Sequence, residues 1–379
     1  MASQALDVYG FELNLSPEEA QARRACESKQ QKRAAKWDSY FKSGKLPAAP
    51  KLKKYCREGI PPQYRGWVWE QVSGAARLMH EHMNNYYEAM VHQGEASSPS
   101  ARQVELDLPR TFPANAWVSS AEGQSALRHV LLAFSVHKPD VGYCQSMNYV
   151  AAMLLLCLDL SEERAFWVMV ALIDDNGILY HDMYASDLVG THVEMRSLEE
   201  LTYKKLPKLY KHLQTTQCEM SIIATDWFLC LFATTLPSET AARVWDALLN
   251  EGPKVLFRVA LAVLKTNEST LLQQDNVGLL LREVRQAVTH LHDRDKLMKA
   301  SLPALSNFNV AFDGIGSMPM ARIENYRQVK QEAVEFEMKR RNARKNLDHA
   351  LITNPEASKT MQVEGISGVA DQIRQKYGK

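Results

Sequence analysis

The sequence predicts an all-α protein that consists of many helices and carries charged helical extensions at both ends. Between Lys51 and about Lys265, apolar residues recur at helical spacing and proline or glycine turn signals separate the segments. No stretch alternates apolar and polar residues over the length of a strand. Residues Ser146 to Leu158 are apolar on nearly every side, which predicts a helix buried in the middle of a bundle.

The first predicted helix lies in an N-terminal extension, residues 1–50. Ser16 is a candidate N-cap, Pro17 suits the first helical position, and Glu19 can complete a capping box. We expect a charged helix from there to about Phe41, ended by Ser43 and Gly44. Residues 45–50 are predicted to connect it to the globular part.

The globular part is predicted to span residues 51–300. Residues Gln93 to Ala101 are rich in Ser and Gly and include a proline, which predicts a flexible loop. The apolar stretches Trp227 to Phe232 and Val255 to Leu264 are expected to form further core walls around the buried helix.

The C-terminal region, residues 301–379, is predicted to contain a long charged helix from Ala321 to about Lys345. Its end is basic, and about thirty residues after it are expected to be weakly ordered. Apolar residues at helical spacing predict a docking stripe on this helix: Ile323, Tyr326, Val329, Ala333 and Phe336.

Composition and charge restrict the class of partner. The 379 residues carry a net charge of +1, so no whole-chain field favours nucleic acid or an anionic membrane. The six cysteines are widely spaced and form no zinc-like pattern, as expected for reduced thiols in an intracellular protein. The longest apolar run, Tyr149 to Leu158, falls short of the roughly 20 residues that span a bilayer. We expect a cytoplasmic, monomeric protein that reaches membranes only through a partner.

Standard motifs for self-contained catalysis are absent from the sequence. It contains no phosphate-binding loop, zinc-protease helix, nucleophile elbow or kinase catalytic loop. His80 and His82 lie two residues apart, which on a helix points them in different directions. We therefore interpret them as surface residues and predict no metal site and no cofactor.

Arg110 lies in a segment with two prolines. Pro109 and Pro113 bias Leu108 and Phe112 away from helical backbone, so we expect Arg110 on a stiff, non-helical loop. An arginine there is usually a solvated surface residue. The alternative is a guanidinium held ready to enter a phosphate site in another protein, because its planar fork suits a bidentate oxyanion contact.

Gln145 directly precedes the predicted buried helix. Pro139 and Gly142 place Tyr143 to Gln145 near the helix N-terminus, where unpaired backbone amides favour an anionic ligand. Gln145 is then expected to be rigid and exposed. Seen alone, it is more often an ordinary polar cap.

A third segment contains Arg65 and Trp69, four residues apart and therefore on one helix face. The spacing allows the guanidinium to stack on the indole. We interpret this pair as scaffold.

Together these segments resemble the TBC family of Rab GTPase-activating proteins, whose motifs run Arg-x-x-x-Trp, Ile-x-x-Asp-x-x-Arg and Tyr-x-Gln. The matching residues follow in the same order: Arg65 and Trp69; Val104, Asp107 and Arg110; Tyr143 and Gln145. Val104 replaces isoleucine and keeps an apolar β-branched side chain, which should cost little. The likeness extends from about Lys54 to Lys265, and the chain looks most similar to compact members of the growth-hormone-regulated type.

The resemblance implies an all-α TBC domain of two helical halves and a trans-acting mechanism. Arg110 is expected to neutralise charge on the transferred phosphoryl group of a GTP-bound Rab GTPase, and Gln145 to orient the attacking water. Four further residues are expected to support the two catalytic loops: Asp107, Tyr143, Arg65 and Trp69. The GTP and Mg²⁺ belong to the partner, and the implied process is vesicle trafficking at endomembranes.

Two rival interpretations remain at this stage. A TBC fold that lacks catalysis can bind active Rab as an effector or scaffold. Alternatively, the basic end of the C-terminal helix can act on a membrane surface or on acidic tails, although such clusters are usually just a solvated face.

Overall fold

The computed structural model describes residues 5–174, 177–185, 187–301 and 318–353. Within these residues the chain forms α-helices and two 3₁₀ turns, and the only β-type pairing is an isolated bridge between Leu6 and Glu12. None of these helices is both long enough and apolar enough to cross a membrane. The predicted all-α class is confirmed.

Nine helices of the described residues precede residue 175. They are α1 Pro17–Ser43, α2 Ala49–Glu58, α3 Pro62–Ser73, α4 Ala75–Glu81, α5 Tyr86–Ser97, α6 Ala101–Asp107, α7 Ala121–His137, α8 Met147–Cys157 and α9 Glu162–Ile173. The 3₁₀ turn Leu108–Arg110 continues directly from α6. In this half, α7 packs against α5, α8 and α9.

The second half contains the remaining helices of the described residues. They are α10 Val189–Lys205, α11 Pro207–Thr215, α12 Met220–Leu229, α13 Ser238–Glu251, α14 Lys254–Thr266, α15 Glu268–Leu271, α16 Val277–Thr289, α17 Arg294–Ser301 and α18 Met320–Thr353. A 3₁₀ turn, His181–Met183, precedes α10. Helix α13 joins the halves, since it contacts α2, α3 and α8 as well as α14 and α17.

The N-terminal helix begins and ends where the sequence predicts. Ser16 Oγ accepts the backbone N–H of Glu19 at 3.2 Å, and a Glu19 carboxylate oxygen accepts the N–H of Ser16 at 2.7 Å. These two bonds form the predicted capping box. Gly44 ends the helix with φ 66°, a left-handed conformation that glycine adopts at little cost.

The predicted buried helix is α8, and it lies in the main core. Its apolar residues are buried on every side, apart from the partly exposed Tyr149 and Leu156. The stretches 227–232 and 255–264 are also buried throughout. The indoles of Trp69 and Trp245 meet in the same core, with ring centroids 5.7 Å apart.

The predicted flexible loop at Gln93 to Ala101 is wrong. Helix α5 continues to Ser97 and α6 begins at Ala101. Gly94 serves close packing here, because a Cβ on it would lie 2.7 Å from the backbone of Leu132 in α7. The short turn between the helices is tied to α7 through a 2.7 Å hydrogen bond between the hydroxyls of Ser98 and Ser135.

The C-terminal helix forms as predicted, but only the first part of the predicted stripe docks. Ile323 is buried and Tyr326 is partly buried against the core, whereas Val329 is 64% exposed and Phe336 is 43% exposed. Val334 is buried instead, and Arg327 reaches into the interface with α10. Residues 354–379, where we expected weak order, lie outside the described residues.

Arg327 explains why α18 presents this face. Its guanidinium pairs with Asp182 at 2.8 Å, forms a second pair with buried Glu194, and stacks 3.6 Å from the centroid of the Tyr180 ring. A charged group buried away from water must be paired, so these contacts fix the rotation of the helix. The apolar spacing of the predicted stripe gave no indication of them.

Candidate functional site

Arg110 ends a 3₁₀ turn, and the non-helical loop predicted for it is wrong. Leu108 has φ −53° and ψ −54°, which is helical backbone. Pro109 lies in the first part of the turn, where a missing N–H costs nothing. The chain leaves helical geometry after Arg110, at Thr111 with ψ 106°, and Phe112 adopts φ 43°.

Asp107 is a fully buried carboxylate between the two predicted loops. It forms an ion pair with Arg110 and accepts hydrogen bonds from the Tyr143 hydroxyl and, at 3.2 Å, from Gln103 Nε2. Burial and the neighbouring Asp107 carboxylate raise the pKa of Tyr143, so its hydroxyl stays a donor. The Asp107 carboxylate thus contacts Arg110 in one segment and Tyr143 in the other. Its role in supporting catalysis stays a prediction.

Arg110 remains open to solvent despite this ion pair. Its side chain is 46% exposed, while Asp107 is fully buried. A guanidinium has five N–H donors, and a single carboxylate satisfies only some of them. The Asp107 contact therefore orients the cation and leaves part of its fork available to an incoming anion.

Gln145 is exposed next to the N-terminus of α8. No hydrogen bond to its side-chain amide occurs within the part of the chain that the structure describes. The following residue, Ser146, is the N-cap and has φ 99°, so the chain turns sharply into the helix. The predicted position beside the buried helix is confirmed.

The Arg110 segment and the Gln145 turn are also joined by a buried chain of hydrogen bonds that the sequence did not indicate. The Thr111 hydroxyl donates to the Asp107 carbonyl at 2.7 Å and accepts from Asn148 Nδ2 at 2.7 Å. The Asn148 side-chain oxygen accepts the backbone N–H of Ser146 at 3.1 Å. Asn148 is fully buried, so this chain fixes the Arg110 segment relative to the Gln145 turn.

One signal could have indicated Asn148. It is the only amide side chain in the apolar run that forms α8. Buried amides are hydrogen-bonded, so a lone asparagine among apolar residues calls for partners from another segment. The identity of those partners depends on tertiary contacts.

Cys144 lies between Tyr143 and Gln145. Burial raises the pKa of its thiol to about 11. The thiol is therefore protonated at neutral pH and does not supply a thiolate nucleophile beside the exposed glutamine.

Arg65 and Trp69 share a partner instead of stacking on each other. Arg65 donates to both carboxylate oxygens of Asp246, at 2.9 and 3.0 Å, and the Trp69 indole N–H donates to the same carboxylate at 3.0 Å. The ring contact of Arg65 is with Tyr9, 6.0 Å from the centroid. Charge-assisted bonds to a buried carboxylate outweigh a cation–ring contact.

Metal-ligating side chains do not cluster in the part of the chain that the structure describes. No group of three or more His, Cys, Asp or Glu side chains among the described residues could hold a metal ion. His82 packs its ring against Trp167, with centroids 4.7 Å apart.

Comparison with known families identifies the domain that carries this site. Residues 62–272 match the family described as the Rab-GTPase-TBC domain, and the match covers more than half of the chain. The chain belongs to the Rab-GTPase-TBC domain family. All six predicted site residues lie within the matched segment of the TBC domain: Arg65, Trp69, Asp107, Arg110, Tyr143 and Gln145.

Relatives and solved structures agree with this assignment. Human TBC1 domain family member 2A is 37% identical over 299 residues, which is 78% of this chain and 31% of that protein. Human Growth hormone-regulated TBC protein 1 is 34% identical over 258 residues, which is 67% of this chain and 75% of that protein. The chain thus spans about a third of the length of the first curated relatives it matches.

Two solved TBC domains have the same fold. The TBC domain of a Chlamydomonas flagellar RabGAP has a TM-score of 0.74 and 42% identity, covering 79% of this chain and all of that chain. The Ypt/Rab-GAP domain of Gyp1p has a TM-score of 0.62 at 20% identity, covering 71% and 96%, which shows the fold alone. The predicted boundaries at residues 50 and 300 stay predictions.

Proposed function

We propose that this chain is a GTPase-activating protein that supplies Arg110 and Gln145 in trans to a Rab-family GTPase. One observation carries the proposal. An exposed arginine and an exposed glutamine lie on two segments joined by the Asp107–Tyr143 contact and by the Thr111–Asn148 hydrogen-bond chain. Such coupling holds two side chains in a fixed relation without burying either one.

Arg110 supplies the larger effect. Charge spreads over the transferred phosphoryl group in the transition state, and the free N–H donors of Arg110 can meet its oxygens. An arginine finger contributes about 10³ to 10⁵ in rate, equivalent to roughly 4 to 7 kcal/mol. The Asp107 ion pair sets the direction of the side chain before the partner arrives, which lowers the entropic cost of placing it.

Gln145 supplies the water-orienting amide. Its side-chain carbonyl can accept a hydrogen bond from the attacking water while its NH₂ group donates one to a phosphate oxygen. The chain turns sharply at Ser146, and the Ser146 N–H donates to the Asn148 side chain. These two features fix the backbone from which the Gln145 side chain projects. This role lies with the activator, in place of the glutamine that a GTPase uses by itself.

The remaining components belong to the partner. GTP and Mg²⁺ enter with the Rab protein, and this chain holds no cofactor of its own. The process we propose is the switching of a Rab GTPase in vesicle trafficking, with a monomeric, cytoplasmic activator recruited to endomembranes through that Rab.

The test is single-turnover GTP hydrolysis across a panel of purified Rab proteins. At least one Rab should hydrolyse GTP faster by about 10³-fold or more when the chain is added in excess. Gln145→Ala should lose most of this stimulation, whereas Gln63→Ala, an exposed glutamine in the first turn of α3, should retain it.

The same assay separates the rival interpretation. A binding module would form a complex with GTP-loaded Rab and change no hydrolysis rate. Binding without acceleration across the whole panel would contradict the proposed activity.

A further inference from the structure

A small hairpin near the start of the described residues packs on the Arg110 segment. We call residues 6–12 the N-terminal hairpin. They lie outside the matched segment 62–272 and show no period in the sequence. Their side chains nevertheless reach the turn that follows Arg110.

The hairpin is held in shape by its own hydrogen bonds. Asp7 N–H donates to the Phe11 carbonyl at 2.8 Å, and the Asp7 carboxylate accepts the N–H groups of Tyr9 at 2.8 Å and Phe11 at 2.9 Å. Gly10 takes φ 83° at the tip, where a side chain would be strained. The hairpin is therefore a preformed unit.

Two residues anchor the hairpin to the helical scaffold. The Tyr9 side chain is buried, and its hydroxyl accepts a hydrogen bond from Arg65 in α3. The Asp7 carboxylate accepts a hydrogen bond from the Ser238 hydroxyl at the start of α13. These contacts fix the hairpin to both halves of the fold.

Two other contacts extend from the hairpin to the segment after Arg110. The Phe11 ring meets the Phe112 ring edge-on, with centroids 5.1 Å apart and an interplanar angle of 88°. The Asn115 side chain donates to the Tyr9 carbonyl at 2.9 Å, while its oxygen accepts the N–H of Val118 at 3.1 Å.

Phe112 needs such support. Its φ of 43° is left-handed backbone, which costs a residue with a Cβ roughly 1 to 2 kcal/mol and persists only where surroundings enforce it. Its ring also packs against Tyr149, with centroids 5.2 Å apart. The Tyr149 hydroxyl in turn donates to the Arg110 carbonyl at 3.3 Å.

We propose that the N-terminal hairpin is a positioning element of the arginine segment, and that Phe11 acts through Phe112 to hold Arg110 in its outward direction. This rests on the proposed function, because the consequence of the positioning is the stimulated rate. The N-terminal hairpin then belongs to the activating unit, although it precedes the matched segment 62–272.

The first measurement needs no Rab protein. Hydrogen exchange of the full chain should show faster exchange at the amides of Thr111 and Asn115, which close the turn, in Phe11→Ala than in the unchanged chain. Phe41→Ala is the matched control, since Phe41 also packs edge-on against an aromatic ring but does so on α1, against Trp67. The control should leave exchange at residues 111–115 unchanged.

The second measurement is stimulated hydrolysis by the same variants. Phe11→Ala should lower the maximal rate roughly ten- to a hundredfold, because misplacement of a catalytic group by about 1 Å has effects of this size. The chain concentration that gives half of the maximal rate should change by less than about twofold, since the proposal assigns the Phe11 ring a contact with Phe112 and none with the Rab. Phe11→Tyr keeps the ring and should keep the rate, and Phe41→Ala should keep it too.

The outcomes separate this inference from the proposed function. A chain that accelerates hydrolysis equally with and without the Phe11 ring overturns the positioning role and leaves the activity standing. Equal losses in Phe11→Ala and Phe41→Ala would point to general destabilisation and also overturn it. If the unchanged chain accelerates no Rab, the proposed function fails, and the exchange at residues 111–115 still decides whether the hairpin holds the segment.

Discussion

Arg65 and Arg110 each pair with a fully buried aspartate, and they differ in what surrounds the rest of the guanidinium. Arg65 is 1% exposed and bonds to both oxygens of Asp246 and to the Tyr9 hydroxyl. Although burial opposes its charge, Asp246 and Tyr9 keep the pKa of Arg65 above its ordinary value. Arg110 pairs with Asp107 from one side and keeps a 46% exposed side chain.

The difference shows how one residue type serves two purposes in one domain. The Arg65 guanidinium is buried, each of its three nitrogens donates a hydrogen bond within the fold, and it joins α3 to α13 out of reach of a partner protein. A half-exposed guanidinium held by a buried carboxylate is oriented but still has donors to offer. We therefore expect the two arginines to separate stability from activity.

The largest effect is expected at Arg110. Arg110→Ala and Arg110→Lys should both lower stimulated hydrolysis by about 10³ to 10⁵-fold, because lysine lacks the planar fork. The free energy of unfolding in urea should change by less than about 1 kcal/mol in Arg110→Lys, which keeps a cation beside Asp107. It should fall further in Arg110→Ala, because the buried Asp107 carboxylate then keeps only its hydrogen bonds from Tyr143 and Gln103. The measurement pairs single-turnover hydrolysis with equilibrium unfolding.

Arg77→Lys is the matched control for this comparison, because Arg77 forms an exposed ion pair with Glu81 one turn away on the same helix. It should retain the full rate. An Arg110→Lys chain that still accelerates hydrolysis as well as the unchanged chain would contradict the finger role.

Arg65→Ala should produce the next largest effect, on stability. Removal of one partner from a buried pair costs roughly 3 to 5 kcal/mol, because Asp246 is left charged and unpaired. The free energy of unfolding, measured in urea, should fall by this amount. Arg77→Ala, which breaks only an exposed pair, should cost about 0.5 kcal/mol or less. Similar unfolding curves for Arg65→Ala and Arg77→Ala would contradict the stabilising role assigned to the buried Arg65–Asp246 pair.

Thr111→Val tests the coupling between the two loops and should have a smaller effect. The substitution removes a hydroxyl that donates to the Asp107 carbonyl and accepts from Asn148 Nδ2, and the buried Nδ2 loses the partner that the structure gives it. An unpaired buried polar group costs about 1 to 3 kcal/mol. Because the loops then shift relative to each other, the stimulated rate should fall roughly tenfold or more.

Thr191→Val offers a matched control for that variant. Thr191 is similarly buried and its hydroxyl donates to the Met183 carbonyl at 2.7 Å, but no described contact joins it to the two loops. Both valine variants should lower stability, and only Thr111→Val should lower the rate. Equal rates for the two would show that the Thr111–Asn148 chain does not couple the loops.

The fold was predictable where local signals were strong. The Ser16 capping box, the Gly44 helix end and the apolar run of α8 each indicate one structure through local chemistry. The loop predicted at residues 93–101 failed because Gly94 and Ser98 act through contacts with α7, which composition does not reveal. The docking stripe predicted for α18 was right at Ile323 and Tyr326 and wrong beyond them, because the buried Arg327 outweighed apolar spacing.

The site was predictable in part. Sequence order and the family motifs indicated Arg110 and Gln145, and the structure exposes both. The Asn148 bridge and the anchoring of the N-terminal hairpin were not predictable, because their partners lie far away in the chain. The 3₁₀ turn at Arg110 was missed for a local reason. A residue before proline is only biased against helical backbone, and at Leu108 the continuation of helix α6 overcomes that bias.

The most direct measurement is capture of a transition-state mimic. A GDP-bound Rab that the chain activates is mixed with aluminium fluoride, which occupies the place of the transferred phosphoryl group, and complex formation is followed by gel filtration. The unchanged chain should co-elute with the Rab only when fluoride is present, and Arg110→Ala should not co-elute under either condition. Equal capture by Arg110→Ala, or capture that does not depend on fluoride, would contradict the claim that Arg110 stabilises the transition state.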